Sequence, residues 1–327
     1  MGLPSRAAER LAREAQDPRM WSRYPDPQAR ELRSAISQYA AVAPECIVIG
    51  GGADSLIHAA VRALAPRRCL IPIPAFAEYE RASNACGCEV RRRESMAHSL
   101  ELAAAGDLVV INNPHNPTGA CAGRTEMLAW VAAARARGAA VLADEAFIDY
   151  APDAAITGDA AAEEGVVAVR SLTKFFGCPG LRVGYAVAAG ETITKLAAQL
   201  PPWPVSTLAS NTLVEALRDA DYRREAMERN GRARKSLSGA LSSLGCRVFP
   251  SAANFLLVCL PPPFHAGAVR TRLVRERGIL VRECDSFGGL EPGRYLRVAV
   301  RRESENARLI EALAGILRET ACLQAHC

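Results

Sequence analysis

The stretch DLVVINNPHNPTGACAG (107–123), continued by RTEMLAWVAAARAR (124–137) and AAVLADEAF (139–147), decides the architecture. Asp107–Ile111 and Ala139–Ala143 are short apolar runs of strand length, and 124–137 spaces its apolar residues as a helix does. A strand, a helix and a second strand of this kind form a parallel pair joined by a crossover. The alternation continues outward in both directions. Strands are expected at Cys46–Ile49, Arg68–Ile71, Cys88–Arg92, Val166–Arg170 and Arg182–Ala186, with a further helix over Ala53–Leu64. The fold class is therefore α/β with a mostly parallel sheet. Past Trp203 the pattern changes to a long helical stretch from about 206 to 244, with Gly231 as its weak point. Short strands near 246–249, 254–260, 279–282 and 295–300, a helix over 266–277 and a closing helix from Glu303 then describe a smaller α+β unit. Three parts result: an arm over 1–40 belonging with the small unit or a partner chain, a large domain over 41–220 and a small domain over 221–327.

Composition narrows the function classes. Of 327 residues 50% are hydrophobic and 23% charged, which excludes a disordered or fibrous chain. The net charge of +5, from 40 Lys and Arg against 35 Asp and Glu, is spread along the chain, so no nucleic-acid partner is expected. Eleven cysteines are scattered and odd in number. Neither Cys86 with Cys88 nor Cys322 with Cys327 has a second ligand pair at zinc spacing, so neither a disulfide framework nor a metal site is expected. No apolar run approaches the roughly 18 residues of a membrane span. The charged start, with Arg6, Glu9, Arg10, Arg13 and Glu14, is no signal peptide. These features suit a soluble, cytoplasmic protein with no membrane partner.

In a parallel sheet, ligands gather beyond the carboxyl ends of the strands, so the residues just after each strand carry the chemistry. After Ile49 comes Gly50-Gly51-Gly52-Ala53-Asp54-Ser55. It matches neither the dinucleotide fingerprint nor the P-loop, and two readings stay open: a tight strand-to-helix turn, and a phosphate cradle at a helix start. After Ile111, two prolines and a glycine shape a loop that exposes Asn116. After Ala143 comes Asp144-Glu145-Ala146-Phe147, and after Arg170 comes Ser171-Leu172-Thr173-Lys174, with Arg182 eight residues past the lysine. A lysine beside hydroxyls and an arginine makes an amine nucleophile next to an anion site.

Taken together, Asn113-Pro114-His115-Asn116-Pro117-Thr118-Gly119, Asp144-Glu145-Ala146-Phe147, Ser171-Leu172-Thr173-Lys174 and Pro179-Gly180-Leu181-Arg182-Val183-Gly184-Tyr185 resemble the fold-type I pyridoxal-phosphate enzymes of the class I/II aminotransferase superfamily. The resemblance covers roughly residues 22 to 320. Within the superfamily the chain is most similar to threonine-phosphate decarboxylases of cobalamin biosynthesis, with histidinol-phosphate aminotransferases as close relatives. The segments over 144–149, 171–176 and 201–206 carry the decarboxylase likeness.

The resemblance implies pyridoxal 5′-phosphate as cofactor. It implies that Lys174 bonds the cofactor through its amine and later carries a proton, that Asp144 pairs with the pyridine nitrogen, and that Asn116 bonds the ring 3-oxygen. Ala53, Asp54, Ser171, Thr173 and Arg182 would hold the phosphate, Phe76 would stack on the ring, and Tyr24 would reach the phosphate of a partner subunit in a homodimer with shared sites. Arg297 would grip the substrate carboxylate and Arg282 a second group of a small phosphorylated amino acid. Alternation supports Arg297, which shares a strand face with Tyr295 while Leu296 and Val298 point the other way. Phe147 stands where many aminotransferases carry a tyrosine.

The implied reaction is decarboxylation of L-threonine O-3-phosphate to (R)-1-amino-2-propanol O-2-phosphate. The alternatives are an aminotransferase on histidinol phosphate or a related amino acid, and a cofactor binder with an impaired substrate site. Family members carry a further N-terminal segment lining the substrate site. The resemblance therefore also implies that this chain starts short, either from a start codon placed too far downstream or by truncation.

Overall fold

The structure, a computed structural model, describes residues 2–324. Met1 and residues 325–327, the outer ends of the expected arm and small domain, lie outside it. Seven strands make the large sheet: β1 Ile47–Gly50, β2 Arg68–Pro72, β3 Glu89–Arg93, β4 Asp107–Asn112, β5 Ala140–Asp144, β6 Val166–Ser171 and β7 Gly184–Val187. They lie in the order β1-β7-β6-β5-β4-β2-β3. Strands β6, β5, β4, β2 and β3 are mutually parallel, while β7 runs antiparallel to both its neighbours. The carboxyl ends of β1, β4, β5 and β6 and the amino end of β7 therefore meet at one edge.

Helices α1 Ser5–Ala15, α2 Arg30–Ala40, α3 Ala53–Leu64, α4 Ala77–Ala85, α5 Met96–Leu102, α6 Arg124–Ala136, α7 Thr157–Ala160, α8 Leu172–Phe175 and α9 Gly190–Ala197 flank or connect these strands. One face of the sheet buries Val110, Leu142 and Val169 against Leu56, Ile57 and Ala60 of α3. Another apolar layer joins Val109, Val141 and Ala168 to Met127, Val131 and Ala134 of α6. The sequence pattern placed all seven within two residues of their observed bounds: six are largely buried and read as apolar runs, while β3 is an exposed edge strand rich in arginine.

Helices α10 Thr207–Arg218 and α11 Ala220–Ser243 lead to the small domain. The expected single stretch is two helices, and Gly231, its expected weak point, does not interrupt it. The chain breaks at Asp219, whose carboxylate accepts from the N–H of Tyr222 at 2.8 Å and caps α11, while Gly231 continues the helix. A side-chain cap satisfies an otherwise free amide, whereas a glycine inside a helix costs only about 1 kcal/mol. Strands β8 Arg247–Val248, β9 Phe255–Cys259, β10 Arg282–Glu283 and β11 Tyr295–Ala299 form an antiparallel sheet in the order β10-β11-β9-β8. Helices α12 Ala266–Arg277 and α13 Glu303–Gln324 pack on it through Leu273, Leu313 and Ile316.

The arm does not join this small core. Ala7, Leu32 and Ile36 pack with Phe175, Tyr185, Leu213 and Tyr222 on the large sheet's side. Arg10 reaches Glu215 at 2.8 Å, and Asn211 donates to Glu14 at 2.9 Å. An amphipathic α1 buries its apolar stripe on α10, the nearest apolar surface, and its charges complete the contact. Among the described residues no helix is long and apolar enough to cross a membrane.

Candidate active site

The shared strand edge opens onto a cavity of about 370 Å³. A hollow of about 630 Å³ adjoins it beside the small domain, and Phe147, Lys174, Arg282, Ser286 and Arg297 line both. Another hollow, of about 680 Å³ near the start of α1, contains none of the expected site residues.

At one end of the cavity Ala53 and Asp54 open α3 with no side-chain cap, so the first-turn amides are available to an anion. Gly52 has φ +100°, and a Cβ there would lie 2.7 Å from the Arg182 guanidinium. A Cβ on Gly184 would lie 2.9 Å from the Ala53 nitrogen. Two glycines thus let the helix start, β7 and Arg182 converge. Arg182 stands just before antiparallel β7, which returns it to the edge where the parallel strands end, and its Nη2 lies 3.2 Å from Asp54 Oδ2. Ser171 Oγ, at the end of β6, and Thr173 Oγ1 are 2.9 Å apart. Amides, two hydroxyls and a guanidinium on one wall are a phosphate donor set. Of the two readings of the glycine run, the turn is present and its geometry suits the cradle.

Asp144 ends β5 and is buried. Its Oδ1 accepts from the Ala146 N–H at 2.9 Å and its Oδ2 from the Tyr79 hydroxyl at 2.5 Å. Burial pushes its carboxyl up from the ordinary aspartate value, opposed by those two hydrogen bonds. Asn112 donates from Nδ2 to the Asp144 carbonyl at 3.0 Å and accepts from the Asn116 N–H at 2.7 Å, tying the asparagine loop to β5. Lys174 on α8 faces the open cleft. Its ammonium is 5.9 Å from the centre of the Phe147 ring. The cleft walls desolvate the amine and lower its pKa; Asp54 and Asp144 oppose the shift, and Arg297 and Arg182 reinforce it. Phe76 lines the same cavity and meets Tyr79 edge to face at 5.8 Å.

Arg297 projects from β11, whose alternate residues Leu296 and Val298 enter the small core. Its guanidinium lies 5.0 Å above the Phe255 ring, and its Nη1 donates to Asn116 Oδ1. Arg282 is its register partner on β10 and donates to Ser286 Oγ at 2.8 Å. Tyr24 is not among the cavity-lining residues. It is 82% exposed and rests on Trp203, with ring centroids 4.6 Å apart, which leaves it available to another molecule. The nine described cysteines are free; Cys327 and the Cys322 side chain lie outside the described residues.

Sequence reasoning missed Tyr79, Phe255, Arg270 and Ser286. Tyr79 had a signal, since it follows Phe76 by three residues, the spacing that places two side chains on one helix face. Phe255 and Arg270 had none, because only the folded small domain brings them to the cleft.

Residues 2–313 match the family described as "Aminotransferase class I and II". The chain is 33% identical to a threonine-phosphate decarboxylase of Salmonella typhimurium over 310 residues, covering 90% of this chain and 83% of that protein. It is also 33% identical to a histidinol-phosphate aminotransferase of Caldanaerobacter subterraneus over 306 residues, covering 90% and 84%. Among solved structures it is similar to the L-threonine-O-3-phosphate decarboxylase of Porphyromonas gingivalis, with a TM-score of 0.86 and 26% identity, covering 97% of this chain and 96% of that one. The fold is the fold-type I architecture that the sequence motifs implied.

Proposed function

Because the chain belongs to the class I and II aminotransferase family, whose enzymes work with pyridoxal 5′-phosphate, we propose that it decarboxylates L-threonine O-3-phosphate to (R)-1-amino-2-propanol O-2-phosphate for cobalamin biosynthesis. The observation that carries this reading is the pair of register-matched arginines, Arg282 and Arg297, facing a cleft that also holds Lys174. Two separate guanidiniums suit a substrate with two anionic ends.

The donor set fits the cofactor. Ala53, Asp54, Ser171, Thr173 and Arg182 offer a phosphate site at one end of the cavity, Asp144 a buried carboxylate, Asn116 an amide and Phe76 a ring wall. When bound, the cofactor supplies an electron sink for the pair released when a bond to the substrate α-carbon breaks. Lys174, whose pKa the cleft walls lower, would attach the cofactor through its amine; displaced by the substrate amine, it takes up the proton which that amine gives up and would deliver it to the α-carbon that has lost carbon dioxide. Arg297 holds the departing carboxylate, Arg282 with Ser286 takes the phosphate, and Phe147 and Phe255 shed water from the reacting carbon. The exposed Tyr24–Trp203 pair supports a homodimer in which the tyrosine completes the partner's site.

A second reading, an aminotransferase, is supported by the equal identity to a histidinol-phosphate aminotransferase. Binding tests the substrate class. L-Threonine O-3-phosphate should perturb the visible band of the bound cofactor at concentrations about a hundredfold lower than L-threonine does, a difference that Arg282→Ala removes. Equal responses to the two amino acids would contradict the phosphate assignment.

A further inference from the structure

The Tyr79 side chain is buried with 1% of its surface exposed, yet its hydroxyl has a partner, Asp144 Oδ2 at 2.5 Å. It belongs to the wall between two spaces. Asp144 lines the cofactor cavity, whereas Tyr79 lines a separate, mostly apolar cavity of about 260 Å³ behind it, with Ile73, Met96 and Trp130. The phenol is therefore the rear contact of the carboxylate whose front faces the cleft. A phenol beside a carboxylate in an apolar wall stays protonated, because burial and the negative charge of Asp144 both raise its pKa. It can only donate to Asp144, and the Ala146 N–H donates to the other oxygen. Asp54 and Lys174 are the further charges acting on Asp144.

We propose that Tyr79 is a positioning residue for the cofactor: its hydroxyl fixes the rotation of the Asp144 carboxylate and withdraws charge from it, so that a proton shared with the pyridine nitrogen stays on the nitrogen. A donor behind the carboxylate lowers its basicity, and a less basic carboxylate leaves the ring nitrogen charged. Phe76, the ring wall, immediately precedes α4 and meets Tyr79 in its first turn edge to face, so the start of one short helix supplies both the stacking surface and the support of the acid.

The proposal rests on the cofactor assignment, and its test separates the two. Tyr79→Phe keeps the ring and removes the donor. The variant should bind pyridoxal phosphate about tenfold more weakly at neutral pH, as expected for a lost hydrogen bond to a charged group. The pH at which affinity falls on the acid side should rise by about one unit, as Asp144 takes up a proton more readily. In the protein without cofactor, Tyr79→Phe should lower the melting temperature, but not when introduced into Asp144→Ala, where the phenol has lost its acceptor. If Tyr79→Phe fails to fold while Tyr79→Phe with Asp144→Ala folds, the coupling stands. Equal effects in both backgrounds, failure of both to fold, or an unmoved pH midpoint would overturn it. Failure of the native protein to bind the cofactor would sink the family chemistry and leave the stability cycle to decide the Tyr79–Asp144 coupling alone.

Discussion

Arg297 of the small sheet donates from Nη1 to Oδ1 of Asn116, on the loop after β4 of the large sheet. Arginine has no acceptor, so the Asn116 carbonyl must point at it, and the amide Nδ2 remains to donate elsewhere. The donor left over is the one a ring oxygen requires. Through one side chain, the residue proposed for the substrate carboxylate is coupled to the residue proposed for the cofactor.

Arg297→Lys keeps the charge but loses the planar fork and the stacking on Phe255. It should raise KM for a carboxylate substrate by about one to two orders of magnitude, with cofactor affinity within about twofold of native. Steady-state kinetics beside a cofactor titration checks this, and an unchanged KM would contradict the carboxylate role.

Lys174→Ala should abolish both the visible band of bound cofactor and turnover. Its effect on stability has a definite sign. The lysine pKa is lower in the folded protein than in the unfolded chain, so at neutral pH the native state carries the penalty of a desolvated charge. That penalty disappears as pH rises from the depressed value through the ordinary lysine value. Without cofactor, the alanine variant should melt slightly higher than native at pH 7, and the gain should fade towards pH 10.5. Calorimetry across that range would show it.

Gly52→Ala places a Cβ 2.7 Å from the Arg182 guanidinium at a φ of +100°. A loss of about 1–3 kcal/mol in unfolding free energy is expected, along with a displaced Arg182 and weaker phosphate affinity. Denaturant melts and cofactor titration report the two effects separately.

Asp219→Ala removes the cap at the α10–α11 break and should destabilise the protein by about 1 kcal/mol. Gly231→Ala, at a helical position where a Cβ meets nothing within 4 Å, should stabilise it by about 0.5–1 kcal/mol. The reverse ordering in urea melts would contradict the assignment of the break.

These last positions mark where sequence reasoning reaches its limit. Six strands of the large sheet were visible because they are largely buried, so hydrophobicity outlines them; the exposed edge strand β3, Glu-Val-Arg-Arg-Arg, was visible only by its place in the alternation. The cleft residues from the large domain were visible because they follow those strands: Asp144, Ser171 and Asn116 lie at the edge that the parallel order creates. The break between α10 and α11 escaped because the Asp219 cap is a three-residue local contact with no apolar signature, and the weak point at Gly231 stays helical because glycine weakens a helix only modestly. The arm was misassigned because its apolar stripe fits any apolar surface, and only the fold shows that α10 is the surface at hand. Phe255 escaped because its role comes from a residue far away in the chain, Arg297, and the acid that Tyr79 supports, Asp144, is 65 residues from it.

The decarboxylase assignment turns on which bond to the substrate α-carbon breaks. Purified protein loaded with pyridoxal phosphate and given L-threonine O-3-phosphate should release one carbon dioxide per substrate consumed, at the same rate with or without 2-oxoglutarate. Glutamate formed only when 2-oxoglutarate is present, with no carbon dioxide released, would contradict the decarboxylase assignment and make the enzyme a transaminase.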